Sequence, residues 1–272
     1  LLQRWQPRLI TVLDPSPSEL ADLRAACPDA VIVGRLFVPD NELADRIRSN
    51  PEAAAQWAHE FTMAHFSPHV TYWQIANEIL QSADEVPLLV RFEMRRMQLA
   101  ATAAYLCAIF AFGVGNPDLP EAQRMAVWQQ TYPALEMAEQ AGHIVAVHQY
   151  GMPDVFHPHL DWYGNRLEHQ VLPRLPFPTL KFAVTEYGID GMIEGGAPRG
   201  WQNFADAQAY AEQLLRSGRY LERFSGRVLG YSIFTLGHNN PWQSYDIAGI
   251  TAEAIAAATG VPRSYLSKML HA

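Results

Sequence analysis

Two apolar runs, Tyr72-Trp73-Gln74-Ile75-Ala76-Asn77-Glu78 and Ala183-Val184-Thr185-Glu186-Tyr187-Gly188, each lead into a glutamate. A carboxylate at the end of a buried strand is costly unless it is paired, hydrogen-bonded or poised for chemistry, because desolvation opposes its charged form. Two such groups suggest an acid and a base. A third polar strand end, His148-Gln149-Tyr150, lies between them. Within each strand, alternation groups Tyr72, Gln74, Ala76 and Glu78 on one face, then Phe182, Val184 and Glu186, then Ala146, His148 and Tyr150.

These ends need strands to carry them. Apolar runs of strand length recur at about 8–14, 30–38, 70–78, 107–115, 144–150, 180–187 and 228–236, with helical patterns between them. Ser16-Pro17-Ser18-Glu19 reads as a capping box with proline at the first helical position, and Asn50-Pro51 marks a second start. Apolar residues repeat at helical spacing over Pro87–Tyr105, Met125–Ala141 and Phe204–Phe224. Strands apolar on both faces, alternating with helices, indicate a parallel sheet, and this many repeats favour an α/β fold closed as a (β/α)8 TIM barrel. Gly113-Val114-Gly115-Asn116 is too short to be a dinucleotide fingerprint.

The 272 residues, 49% apolar and 18% charged, fit one domain spanning 1–272 with a large core. A net charge of −8 argues against nucleic acid or an anionic membrane as the main partner and favours a neutral ligand. The apolar stretch around Ala100–Val114 is interrupted by Thr102 and Tyr105 and is no membrane span. Cys27 and Cys107 have neither metal-site spacing nor a disulfide framework, and His157-Pro158-His159 lacks further ligands, so no metal or cofactor is expected.

A strand ending in Asn77-Glu78, a later one ending in Glu186-Tyr187-Gly188 and His148-Gln149-Tyr150 between them resemble clan A of the glycoside hydrolases, (β/α)8 barrels that include families 5 and 39. In that clan the acid/base glutamate ends strand 4 and the nucleophile ends strand 7. Here the glutamates end the third and sixth visible strands, so strand 1 is expected upstream of Leu1 or missing, and Leu1-Leu2-Gln3-Arg4 is expected to open inside a longer protein. On the family 5 pattern an arginine ends strand 2 and a histidine ends strand 3; here Asp14-Pro15 and Arg35 stand there instead.

The resemblance implies a retaining hydrolase of β-glycosidic bonds in an oligo- or polysaccharide, with Glu78 as acid/base and Glu186 as nucleophile. The charge of Glu186 is expected to help keep Glu78 protonated. Asn77 looks like the residue that contacts the sugar 2-hydroxyl, Tyr150 like the nucleophile's hydrogen-bond partner, and His148 like either a subsite histidine or a satisfied core histidine. Arg35 needs a partner, and Glu186 and Asp14 are the candidates, in a catalytic or a structural pair. Sugar faces stack on aromatic rings, so Trp162, Tyr163, Trp201 and above all Trp242 are candidate subsites. Trp57, Trp73 and Trp128 read as packing, and Met152–Pro178 as the segment that shapes specificity. A carbohydrate-binding barrel without turnover is the alternative; a metal-dependent hydrolase would want a strand-borne His-x-His that is absent. No signal-peptide pattern is visible, which leaves a secreted location open.

Overall fold

The computed structural model describes residues 7–117, 124–156, 164–237 and 240–248. Among them, seven strands stand at the seven expected places: β1 (Leu9–Leu13), β2 (Val31–Arg35), β3 (Tyr72–Gln74), β4 (Ala108–Phe112), β5 (Ile144–Gly151), β6 (Lys181–Ile189) and β7 (Val228–Ile233). The helices between them are α1 (Pro17–Ala26), α2 (Asp40–Ser49), α3 (Pro51–Ala64), α4 (Val86–Thr102), α5 (Arg124–Ala141) and α6 (Ala207–Leu221). Trp162, Tyr163, His157 and His159 lie outside the described residues.

The helix starts follow from their caps. Ser16 Oγ accepts the Glu19 N–H at 3.3 Å while Glu19 returns a carboxylate to the Ser16 N–H at 2.8 Å, completing the box and fixing α1. Asn50 accepts from the Ala53 N–H at 3.0 Å ahead of Pro51, and Asp206 caps α6 through the Ala209 N–H at 2.8 Å.

All strand pairing is parallel and follows chain order, in two sheets: β1-β2-β3 and β4-β5-β6-β7. One parallel bridge, Trp73 to Cys107, connects them. The short β3 leaves this junction with few ladder bonds, and α4 supplies replacements. The guanidinium of the fully buried Arg96 donates to Trp73 O at 3.1 Å and Ala108 O at 2.8 Å, and pairs with Glu93 at 2.7 Å. Glu93 in turn accepts the Phe110 N–H at 3.0 Å. On the other side, among the described residues, β7 meets β1 without strand pairing, through a bond from Thr11 N–H to Ser232 Oγ at 3.0 Å.

Two cores result. The larger packs the outward strand faces, such as Val145, Val147, Phe182 and Val184, against the helices. The smaller draws on all seven strands and no helix: Leu9, Val33, Ala108, Ala111, Ile144, Ala146 and Ala183, with Tyr72 and Leu229 against it. Its alanines let the strands approach closely around it, and polar side chains take over at the C-terminal strand ends above it.

No helix among the described residues is long and apolar enough to cross a membrane.

Candidate active site

A cleft of about 990 Å³ opens at the C-terminal strand ends, with Glu78 and Glu186 both in its wall. The chain brings each there by a device that simple alternation does not describe. β3 stops at Gln74, so Glu78 is not on a strand, and Ala76 packs on the helix side. Instead Glu78 turns into the cleft from a left-handed backbone, φ 53°, which costs a non-glycine residue on the order of 1–3 kcal/mol and persists only when its surroundings enforce it. Its N–H donates to Ala111 O at 3.0 Å, its C=O accepts from Gln81 at 2.8 Å, and Gln81 also accepts the Gly113 N–H at 2.6 Å.

Glu186 arrives by a β-bulge. The β5–β6 register runs Ala146 to Ala183 and Val147 to Val184, then His148 to Glu186, leaving Thr185 as an extra residue. The bulge reverses the facing, so Phe182 and Val184 pack outward while Glu186 faces the cleft. The expected grouping of Phe182 and Val184 with Glu186 therefore fails, whereas Ala146, His148 and Tyr150 keep their common face.

Five side chains then lock together. Arg35 donates to Glu186 Oε1 at 2.8 Å, with each side chain 17% exposed, and Tyr150 OH donates to the other oxygen at 2.9 Å. The fully buried His148 lies 2.6 Å from Glu78 Oε1 and 3.6 Å from Glu186 Oε2, both measured from Nδ1. Asp14 instead accepts the Phe37 N–H at 2.7 Å, so Glu186 is the partner of Arg35. Asn77 lines the cleft and accepts from Gln74 Nε2 at 3.3 Å.

The electrostatics correct one expectation. Burial alone would raise the Glu78 carboxyl, but the hydrogen bond and charge of His148, with Arg35, outweigh it, and Glu78 falls below its ordinary value. Burial likewise opposes a charged His148, yet the charges of Glu186 and Glu78 and the Glu78 hydrogen bond carry it above the usual histidine value. The shifts therefore run against a Glu78 kept protonated by Glu186: the contact lowers the carboxyl and raises the imidazole. Tyr150 is held well above its ordinary value by burial and the Glu186 charge, and remains a donor.

Of the two tryptophans, Trp242 lines the cleft, edge-on to Phe234 with ring centroids 5.5 Å apart. Trp201 does not. It is buried, stacked on Tyr210 at 5.0 Å, and its indole N–H is spent on Tyr245 O and Asp246 O. Phe234, just past β7, lines the cleft beside Tyr150, and so do Asp40 and Asp190. An aromatic near the end of the apolar run at 228–236 was the available signal for Phe234; nothing in the local pattern singles out the two aspartates.

No protein-family model and no curated protein matches the sequence. Among solved structures, a variant of BuGH86 in complex with neoagarooctaose matches with a TM-score of 0.50 at 10% identity, covering 84% of this chain and 47% of that one. The endo-β1,6-glucanase BT3312 matches with a TM-score of 0.46 at 14% identity, covering 82% of this chain and 51% of that one. The chain spans about half the length of these structures. What the chain shares with the BuGH86 structure is its fold, an α/β fold of parallel strands.

Proposed function

We propose that this chain is a retaining β-glycoside hydrolase acting on an oligo- or polysaccharide without a cofactor, with Glu78 as acid/base and Glu186 as nucleophile. The observation that carries the reading is one imidazole nitrogen touching both carboxylates, 2.6 Å from one and 3.6 Å from the other. The two oxygens can be no farther apart than the sum of those distances. The two carboxylates therefore share one site, as the two-carboxylate chemistry of glycoside hydrolysis requires.

In the first step Glu186 attacks the anomeric carbon, its two oxygens aimed by Arg35 and Tyr150. Glu78 must then be an acid. Its side chain is 40% exposed in the open cleft, and a bound sugar would strip that water, favouring the neutral carboxyl. The His148 Nδ1 proton, already on a 2.6 Å bond to Oε1, crosses to Glu78 and then to the leaving oxygen. In the second step Glu78, now a carboxylate, takes a proton from the water that releases the sugar from Glu186. Asn77 faces the substrate hydroxyls, and Trp242 and Phe234 supply stacking surface.

The fold reading that goes with this is a single (β/α)8 catalytic barrel. Seven parallel strands around an all-strand core support it. Between β7 and β1, where Thr11 N–H bonds Ser232 Oγ and no strand pairing stands among the described residues, the cleft runs down the whole of β1, from Leu13 to Leu9; an eighth strand belongs there.

The test is a panel of aryl β-glycosides assayed with wild type, Glu78→Ala and Glu186→Ala. Loss of turnover by about 10³-fold or more in Glu186→Ala is expected, with Glu78→Ala least impaired on the best leaving groups. Turnover unaffected by either substitution would remove the assignment, and sugar binding without wild-type turnover would favour a binding barrel.

A further inference from the structure

The charges around the cleft bear on which saccharide enters it. Its described lining holds four carboxylates, Asp40, Glu78, Glu186 and Asp190, and, apart from the fully buried His148, which stands outside the lining and meets Glu78 at 2.6 Å, one cation, Arg35. That cation is committed to Glu186 at 2.8 Å. Asp190 is engaged through Oδ1 by Tyr245 OH and by the Met192 N–H at 2.8 Å, which holds its carboxyl in place at the rim. Asp40 stands at the first turn of α2. Burial and the charges of Glu78 and Glu186 raise the carboxyls of both Asp40 and Asp190, so the four groups sit in a shared field.

The rest of the described lining is uncharged, and much of it is apolar. Among the described residues, the exposed large hydrophobic side chains are Leu13, Phe37, Met63, Phe66, Met192 and Leu236, and four of them, Leu13, Phe37, Met192 and Leu236, line this cleft. They end β1 or follow β2, β6 and β7, and with Phe234 and Trp242 they form an apolar rim along the cleft. Clustering of exposed apolar side chains at a cleft marks a binding surface, and this one suits the C–H faces of sugar rings.

We infer that the cleft selects uncharged saccharide chains and rejects uronate-bearing and sulfated ones. Carboxylates accept hydrogen bonds from sugar hydroxyls, the apolar rim takes ring faces, and an anionic substituent meets like charge with no free cation among the described lining residues. This rests on the glycosidase reading of the site but adds the charge class of the substrate.

The test uses matched probes: β-glucan, β-mannan and β-galactan oligosaccharides, each neutral and again after oxidation at C6 to the uronate. Binding to Glu186→Gln is measured by titration calorimetry at low and high salt, and turnover with wild type. The neutral chain should bind with little salt dependence, and its oxidised form roughly 100-fold more weakly. Asp40→Asn with Asp190→Asn, which keeps acceptors but removes charge, should narrow that gap. Equal or tighter binding of the oxidised chain, or an unchanged gap in the double variant, would overturn the inference. Discrimination in binding with no turnover of any chain would sink the hydrolase reading alone; turnover without discrimination would sink this one alone.

Discussion

Gly113 follows β4 and carries no chemistry, yet the geometry makes it a sensitive probe of Glu78. A Cβ built on it would stand 2.8 Å from both Cδ and Oε1 of Glu78, against the 3.4 Å at which ordinary contact begins. Gly113→Ala must therefore displace the carboxylate by about 0.6 Å or more. The obstacle is the end of a flexible side chain, and Gly113 has no left-handed backbone to strain, so the fold should absorb the methyl group. Stability should change by no more than about 1 kcal/mol in either direction, the lost chain entropy of glycine offsetting the crowding. Activity should not escape. The 2.6 Å bond from His148 is already short and cannot survive that shift in its present form. Misplacement of a reacting group by about 1 Å costs up to about 100-fold, so kcat/KM should fall between about 10- and 100-fold. The assay is kcat/KM on aryl β-glycosides beside urea unfolding of the same preparation. Wild-type kcat/KM in a normally folded Gly113→Ala would refute the role given to Glu78.

Arg35→Met should abolish most turnover by freeing Glu186 to rotate, and lower stability by about 1.5–3 kcal/mol in urea unfolding, the range for a hydrogen bond to a charged group. Arg96→Met, remote from the cleft, should cost more, about 3–5 kcal/mol, because it leaves the Glu93 charge buried and two carbonyls at the β3–β4 junction unpaired. pH should act through the His148–Glu78 pair. His148 is raised in the fold, so its stabilising effect is complete below the ordinary histidine value and fades as pH rises through the raised one. Glu78 is lowered, so its effect is present above the ordinary carboxylate value and fades as pH falls through the lowered one. Unfolding free energy against pH should accordingly lose slope on both flanks in His148→Gln, and an unchanged profile would contradict the pairing.

Strand positions were legible because each strand is an apolar run bounded by turn residues, and the helix starts because Ser16, Asn50 and Pro87 cap or open them in the chain itself. Glu78, Glu186, His148, Tyr150 and Arg35 were legible as polar residues at apolar strand ends. The way two of them reach the cleft was not. Alternation assumes an unbroken pleat, and the chain breaks it twice, by the early end of β3 with a left-handed Glu78 and by the extra Thr185 in β6. Both breaks are tertiary choices, set by the neighbouring strand rather than by local propensity. Trp201 misled for a similar reason. A loop tryptophan is a subsite candidate only if its face is free, and here Tyr210 and two backbone carbonyls consume it. The raised titration of His148 was equally hidden, since it depends on a 2.6 Å contact between residues 70 positions apart.

The pairing of Glu78 and Glu186 as acid/base and nucleophile is tested most directly by trapping the intermediate. The protein is incubated with 2-deoxy-2-fluoro glycosides of the turned-over sugar, digested, and the labelled peptide sequenced by mass spectrometry. A covalent label on Glu186, absent from Glu186→Gln, is the expected result. A label on any other residue, or hydrolysis that inverts the anomeric centre with no label at all, would contradict it.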